Sequence, residues 1–483
     1  MKARSRTALF TLGLLAAAAA ALFLAFYAVE KPAEREKAGK EAEEKLLSVG
    51  RDEVKALRVE ARGEAVRLER TEGGWRVAAP VEAPADRAAA GALLDAALGL
   101  RGRQRVAEPD SGLGAYGLAP PRLRLTLELA GGGARTLEAG DENPFDGSLF
   151  VRVDGGPVVS VGPGARWSLE KGLQDLREKQ LLPIEEKDLT RLEVAGPKLA
   201  FALSRQEGEW RLAAPISERA DDATVGRLMA ALRGLRATRF DDAPGPDRGY
   251  GLDRPRWKVT LRGPGDSVRA LELGAAPAGA GKPAAGGSGA ELWARVSGSR
   301  SLAAVPSRET RDLEVDLWAL RDKSVVRFMA DGVAAVRVER GGEAIEARRG
   351  APAPDGGASR EWALTAPRTS PAAAWKVSGL LYALEGLRAG RFADERGMRL
   401  AEHGLAPPAA VVTLLGSGGE VLGRLEVGKA SGEETFVRGS ASPRIAAVPT
   451  SSLGQIPRAP EDLAEPPPSP EKPAPDAGPR QGG

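Results

Sequence analysis

One phrase constrains this chain more than any other. AYGLAPPRLRLTL, residues 115–127, returns as GYGLDRPRWKVTL from residue 249 and as EHGLAPPAAVVTL from residue 402. The flanks return with it. GGWRVAAP, GEWRLAAP and REWALTAP place Trp75, Trp210 and Trp362 ahead of Tyr116, Tyr250 and His403 by 41, 40 and 41 residues, and Pro80, Pro215 and Pro367 follow each tryptophan by five. Downstream come LEAG, LELG and LEVG, then FVRV, LWARV and TFVRG, then VVSVGP, LAAVPS and IAAVPT. Order and spacing both match, so the chain is a triplication. Successive tryptophans lie 135 and 152 residues apart, the size of a small domain and well beyond the roughly 20–50 residues of a solenoid repeat. A chain of 483 residues accommodates about three such domains. The longer second interval is taken up by AAPAGAGKPAAGGSGA, residues 275–290, and GAPAPDGGAS, residues 350–359, whose composition is that of surface loops.

Within a copy, apolar and polar residues alternate around Arg62-Gly63 and Gly73-Gly74, which predicts a short antiparallel meander. A helix follows. Its apolar positions recur at i, i+3, i+4, i+7 and i+10: Ala90, Leu93, Leu94, Ala97 and Leu100, then Val225, Leu228, Met229, Leu232 and Leu235, then Val377, Leu380, Leu381, Leu384 and Leu387. That spacing is one buried helical face. Ser370-Pro371 offers the third helix an N-cap and a first-turn proline. The thrice-written phrase comes next, with Gly117, Gly251 and Gly404 and then Leu118, Leu252 and Leu405 at fixed places; it reads as a joint from helix to strand with Tyr116 packed there. Strands LRLTLEL, LFVRV and VVSV follow, and LQDLREK or LWALRDK closes copies one and two. The expected class is α+β: an N-terminal transmembrane helix, then three related domains, each an antiparallel meander sheet packed with one or two amphipathic helices. The expected boundaries are a cytoplasmic N-terminus 1–7, an anchor 8–29, a charged spacer 30–50, domains 52–182, 187–324 and 325–457, the last truncated, and a proline-rich disordered tail 458–483.

Residues 8–29 carry no charge, and about 20 such residues span a bilayer. Lys2, Arg4 and Arg6 precede them with no acid before Glu30, so the positive-inside bias keeps the N-terminus cytoplasmic and sends the rest outside. A cleaved signal peptide is the rival reading, but its apolar region is usually about 7–15 residues. With no cysteine in the chain, disulfides, thiolate metal sites and a cysteine nucleophile are excluded. The net charge of +3 is accounted for by the three basic residues before the anchor, which leaves no electrostatic footprint for nucleic acid.

Catalytic constellations are hard to assemble from these residues. The sole histidine, His403, occupies the tyrosine slot of the repeat, where it reads as an aromatic substitute rather than a base with partners. GAGKPAAGGSG fails as a phosphate loop, because Ala276 stands where glycine is needed and Pro283 where Ser or Thr would bind magnesium. DENPFDG, Asp141–Gly147, is oxygen-rich, yet its counterparts AAPAGAG and KASGEET do not share the pattern and no Glu sits where an EF-hand loop would end, so a polar turn is the better reading. No cofactor or metal site is expected. Arg177 and Lys179, with Arg321 and Lys323 at equivalent places, have two readings: charge complementing a helix C-terminus, or contacts for a partner.

Taken together, the single anchor, W-R-hydrophobic-A-A-P, the Leu-rich helix, Y-G-L-x-x-P, L-E-x-G and L-R-D-K closely resemble the bacterial domain-of-unknown-function 4340 family over about residues 52–457. The resemblance implies an extracytoplasmic, membrane-anchored protein without assigned activity, some relatives being similar to auxiliary components of ABC-type transport systems of the gliding-motility kind. The expected function is thus a non-enzymatic scaffold of the cell envelope, held in inner-membrane lipid through residues 8–29, single-pass, with its bulk periplasmic. A glycan- or peptide-binding ectodomain, with Trp75, Trp210 and Trp362 as exposed platforms, and an envelope carbohydrate hydrolase using paired carboxylates are the alternatives. The orientation is directly testable: a reporter active only outside the cytoplasm, fused after Gly483, should be active, and a silent fusion would reverse the assignment.

Overall fold

The computed structural model describes residues 45–274, 290–350 and 361–466. The anchor expected at 8–29, most of the charged spacer, the loops at 275–290 and 350–359 save their end residues, and most of the tail lie outside the described residues. Among the described residues no helix is long and apolar enough to cross a membrane. The described residues form two compact units, one within Met1–Ser217 and Asp222–Leu320, the other within Glu218–Asp221 and Arg321–Gly483.

The first copy shows how the repeat is built. Its strands are β1 (Val54–Ala61), β2 (Glu64–Thr71), β3 (Gly74–Ala79), β4 (Ala83–Pro84), β5 (Gly102–Ala107), β6 (Leu123–Leu129), β7 (Ala134–Glu142), β8 (Leu149–Val153) and β9 (Val158–Val161), with helix α1 (Arg87–Leu98) between β4 and β5. They form one antiparallel sheet in the order β4-β3-β2-β1-β6-β7-β8-β9-β5, and the other two copies repeat this order of nine strands around helices α2 (Asp222–Gly234) and α3 (Ala374–Glu385). The class is therefore α+β, with strand dominant.

Nine strands laid flat would be about 40 Å wide at the usual spacing, whereas a helix with its side chains is only about 10–12 Å across. Yet one apolar cluster joins Leu57 of β1, Leu68 of β2, Val77 of β3, Leu125 of β6, Leu137 of β7, Val151 of β8 and Val161 of β9 to Leu93 and Leu94 of α1. The sheet must curl around its helix. The helical face read from the sequence is this core: all fifteen recurring apolar positions of the three copies are buried. Asp86 caps α1 by accepting from the Ala89 amide at 3.0 Å, the usual service of an N-cap carboxylate. In the third copy the cap expected at Ser370-Pro371 is not one. Ser370–Ala372 is a short strand paired with Trp362–Leu364, and α3 starts only at Ala374.

The thrice-written phrase also has a different place from the one expected. Strand β5, which the alternation in GRQRVA was too weak to reveal, intervenes between the helix and the phrase. In sequence β5 and β6 are neighbours, but in the sheet β9, β8 and β7 separate them. The phrase is the crossing that spans this gap. Leu113–Tyr116 makes a 3-10 turn, Gly117 ends it at φ +67°, and Gly251 and Gly404 do the same at +67° and +69°, a left-handed conformation that favours glycine. Tyr116 stacks edge-on against Phe150 of β8 at 5.0 Å rather than on the helix, and Tyr250 meets Trp293 at 5.2 Å in the same way. Beneath the crossing lies Gly140 of β7. A Cβ there would sit 1.9 Å from the Tyr116 carbonyl oxygen, and at Gly274 or Gly428 it would sit 2.2 or 2.3 Å from the carbonyl of Tyr250 or His403. The glycine of L-E-x-G therefore recurs because the backbone of Y-G-L rests on it. Pro80, Pro215 and Pro367, each after a cis peptide bond, mark where the chain leaves the tryptophan strand.

The third copy is not truncated where expected. Pro460–Asp462 forms a turn, Leu463 is buried, the Ala373 amide donates to the Leu463 carbonyl at 2.8 Å, and the Glu465 amide donates to Pro371. The first copy closes by the same bonds, Asp86 to Leu176 at 2.8 Å and Glu178 to Pro84 at 2.9 Å. Backbone pairing carries this closure, and one buried leucine in a proline-rich stretch gives little apolar signal.

Gly140→Ala should cost about 1–3 kcal/mol, the usual penalty for overpacking, measured by urea denaturation against Gly73→Ala, whose added methyl meets nothing within 4 Å. Equal stability of the two variants would remove the crossing contact as the reason for the repeat.

Candidate functional site

Each residue type that recurs can be followed to its partner. Trp75, Trp210 and Trp362 stand opposite Arg70, Arg205 and Arg349 on the neighbouring strand. The Arg70 and Arg349 guanidiniums lie 5.2 Å from the ring centroids of Trp75 and Trp362, within cation–π range. Trp210 is 5% exposed and Trp362 7%, and the Trp210 indole donates to Glu186 at 3.3 Å. These two rings are therefore interior, which corrects the reading of all three tryptophans as exposed platforms. His403 is buried against Phe436 at 4.6 Å, with Nδ1 2.8 Å from the Arg399 carbonyl oxygen. A carbonyl only accepts, so Nδ1 carries the proton, and the ring does a tyrosine's packing.

A recurring charged pair escaped the sequence reading. The glutamates of L-E-x-G face the arginines of the next strand: Glu138 opposite Arg152, Glu272 opposite Arg295, Glu426 opposite Arg438. Their closest N–O separations are 2.5, 3.6 and 3.9 Å. Glu138 also accepts from Arg124 at 2.8 Å. Burial works against its charged form, but the hydrogen bonds from Arg124 and Arg152 outweigh it and hold the carboxyl below its ordinary range. A carboxylate so held is a poor general acid. The alternating L-E-x-G and V-R-V strands contained this pair, and only register brought the two halves opposite.

The connectors contain the residues singled out as partner contacts. In the first unit, Arg177 is 4% exposed, donates to Asp242 at 2.6 Å and lies 3.7 Å over Phe240. Around it, the Leu181 amide donates to Leu235 at 3.0 Å and Ala237 donates to the Lys179 carbonyl at 2.7 Å. Burial opposes ionisation of Asp242, and hydrogen bonds from Ser301 and Arg177 overcome it, so its carboxyl is held below the usual range. In the second unit, Arg321 donates to Glu218 at 2.6 Å and to Glu395 at 2.7 Å, and lies 4.6 Å from the Phe392 ring. Arg444 joins the same glutamates and lies 4.8 Å from the same ring. The Val325 amide donates to Leu387, and Ala389 to the Lys323 carbonyl at 2.8 Å. Arg177 and Arg321 are thus spent on the chain's own carboxylates and aromatic rings, Lys323 Nζ donates to the Arg321 carbonyl at 2.9 Å, and the Lys179 and Lys323 carbonyls accept from Ala237 and Ala389. This corrects the partner-contact reading for Arg177 and Arg321, and Arg177–Asp242 is also more than a helix-end charge. The rule is an arginine on a ring followed by an acid, and composition does not show which acid lies near.

Of Asp141–Gly147, Asp141 and Glu142 end β7 and the rest is a turn: Asp146 accepts from the Ser148 amide at 3.0 Å and hydroxyl at 2.7 Å, while Asp141 pairs with Arg122. GAGKPAAGGSG lies outside the described residues. One concave feature was not anticipated. In the first copy a groove of about 670 Å³ opens between the end of α1, the start of β5 and the end of β9, bordered by Arg101, Arg103, Gly162, Gly164 and Ser168. Its volume falls within the usual range for small-molecule sites.

The fold and these connectors define a chain of three related α+β domains in sequence. A family model described as a domain of unknown function, DUF4340, matches residues 75–255, 210–356 and 362–470, beginning each time at a repeat tryptophan. The chain belongs to the DUF4340 family. No curated protein matches it.

Arg177→Met should destabilise the first unit by about 2–3 kcal/mol, because a partly buried carboxylate loses its counter-charge, and hydrogen exchange at 235–242 should rise. The contribution of Asp242, whose folded pKa is depressed, is full above the unfolded value near pH 4 and is lost as the pH falls through the folded value. Asp242→Asn should flatten that acid limb, and an unchanged limb would remove the ion pair as its source.

Proposed function

We propose that this chain is a non-enzymatic scaffold of the cell envelope, anchored in the inner membrane through residues 8–29 and presenting three α+β domains outside the cytoplasm to an envelope or ABC-type transport complex. The observation that supports it most is the fate of the repeated side chains. Tyrosine, tryptophan, glycine, glutamate and arginine recur because they hold one another: Tyr116 on Phe150, Gly140 under the Tyr116 carbonyl, Glu138 on Arg152. A repeated active site would instead keep polar groups converging on a shared cleft. His403 illustrates the point, since the chain's single histidine is engaged by a carbonyl and a ring.

The groove of the first copy favours a second reading, a ligand-binding ectodomain. Arg101, Arg103 and Ser168 at its border suit an anionic or hydroxyl-rich ligand such as a glycan fragment. Crosslinking in intact envelopes with mass spectrometry separates the two. The scaffold reading expects capture of membrane transport components by the three domains, and their absence would sink it. Binding of cell-wall glycan fragments that Arg103→Ala abolishes would favour the ligand-binding reading instead.

A further inference from the structure

Helix α3 differs from its two counterparts on its outer face. Trp375 is 70% exposed and Tyr382 79% exposed. They lie seven residues apart on one side of the helix, with exposed Ser378 and half-buried Gly379 between them. At the matching places α1 has Ala88 and Asp95, and α2 has Ala223 and Ala230. Two large aromatic rings in water are costly to leave uncovered, at about 25 cal/mol per Å² of apolar surface, and only one of the three copies carries them.

That copy is also the one to which the proline-rich end of the chain is attached. The described residues reach Pro466 beside the first turn of this helix: Lys376 Nζ donates to the carbonyls of Glu461 and Ala464, each at 3.0 Å, and lies 5.7 Å from the Trp375 ring centroid. Beyond it the sequence reads PPSPEKPAPDAGPRQGG, in which Pro467, Pro470 and Pro473 stand at intervals of three. A polyproline II segment has three residues per turn and rises about 3.1 Å per residue, so prolines three apart share one edge about 9.3 Å apart. Seven residues of α-helix rise about 10.5 Å. The spacing of the two rings therefore matches the spacing of the prolines to about 1 Å, and aromatic surfaces that accept proline rings at this interval are a general mode of proline-rich recognition.

We propose that residues 467–483 of this chain bind the Trp375–Tyr382 face of helix α3, with two prolines three apart seated on the two rings. Tethering makes the encounter intramolecular, so modest contact energy suffices. At Glu465 the chain runs antiparallel to residues 371–373 and must reverse before reaching the rings. The segment is long enough to do so, spanning about 50 Å when extended. The inference is independent of the scaffold reading.

The test is hydroxyl-radical footprinting of the full chain, read by mass spectrometry at Trp375 and Tyr382, with exposed Trp167 as the internal reference. Ending the chain at Pro466 should raise modification of both residues severalfold and leave Trp167 unchanged. Replacing Pro467, Pro470 and Pro473 by serine should do the same without shortening the chain, and adding a synthetic peptide of residues 467–483 to the shortened chain should restore protection. Equal modification in the full and shortened chains would overturn the proposal. Protection that varies with protein concentration would also overturn it, by assigning the face to a second copy.

Discussion

The backbone contact between Tyr116 and Gly140 is the constraint on which the rest of each domain depends. A sheet of nine strands closes around one helix only if the strand leaving the helix is delivered to the far edge, beside β9, and the chain then returns to the centre as β6. The return must pass over three strand ends at close range. Glycine on β7 permits that approach, glycine after the 3-10 turn permits the bend, and an aromatic pair locks the crossing to β8. Each copy keeps all three parts, although the aromatic pair is Tyr on Phe, Tyr on Trp, and His on Phe.

Charge in this chain is mostly organised by the chain itself. Glutamate of L-E-x-G meets arginine of the next strand in every copy, and the connector arginines Arg177 and Arg321 each lie on a phenylalanine and an acid of the same unit. Guanidinium suits both tasks, because its planar fork pairs with carboxylates and stacks on rings. In the third closing turn Ala464 takes the arginine's place, and the same backbone hydrogen bonds, with Lys376 Nζ donating to the Glu461 and Ala464 carbonyls, hold the docking. The turn is thus carried by main-chain pairing, with the arginine adding the ion pair and the ring contact.

Much of the architecture was legible because it depends on local chemistry. Three copies, an antiparallel sheet and one buried helical face follow from spacing and from the positions of leucine, and all of these recur in the structure. What was misread depends on pairing over distance. Strand β5, with GRQRVA, has too few apolar residues to announce itself, since its place is fixed by hydrogen bonds to β9. Ser370-Pro371 resembles a helix start but pairs as a strand. The third closing turn was hidden in a proline-rich run. The connector arginines read as helix-end charge or partner contacts because their acids lie far along the chain, Asp242 from Arg177 and Glu395 from Arg321.

By itself the sequence determined that this protein is one design written three times, with a helix buried along a stated face and turns placed by glycine and proline. Periodicity and backbone stereochemistry are local, so they survive being read one residue at a time. Only the tertiary structure decided why the phrase YGL and the motif L-E-x-G travel together, which tryptophans are interior, and which charges are already satisfied. Those are facts of contact between residues distant in sequence, set by strand order and register.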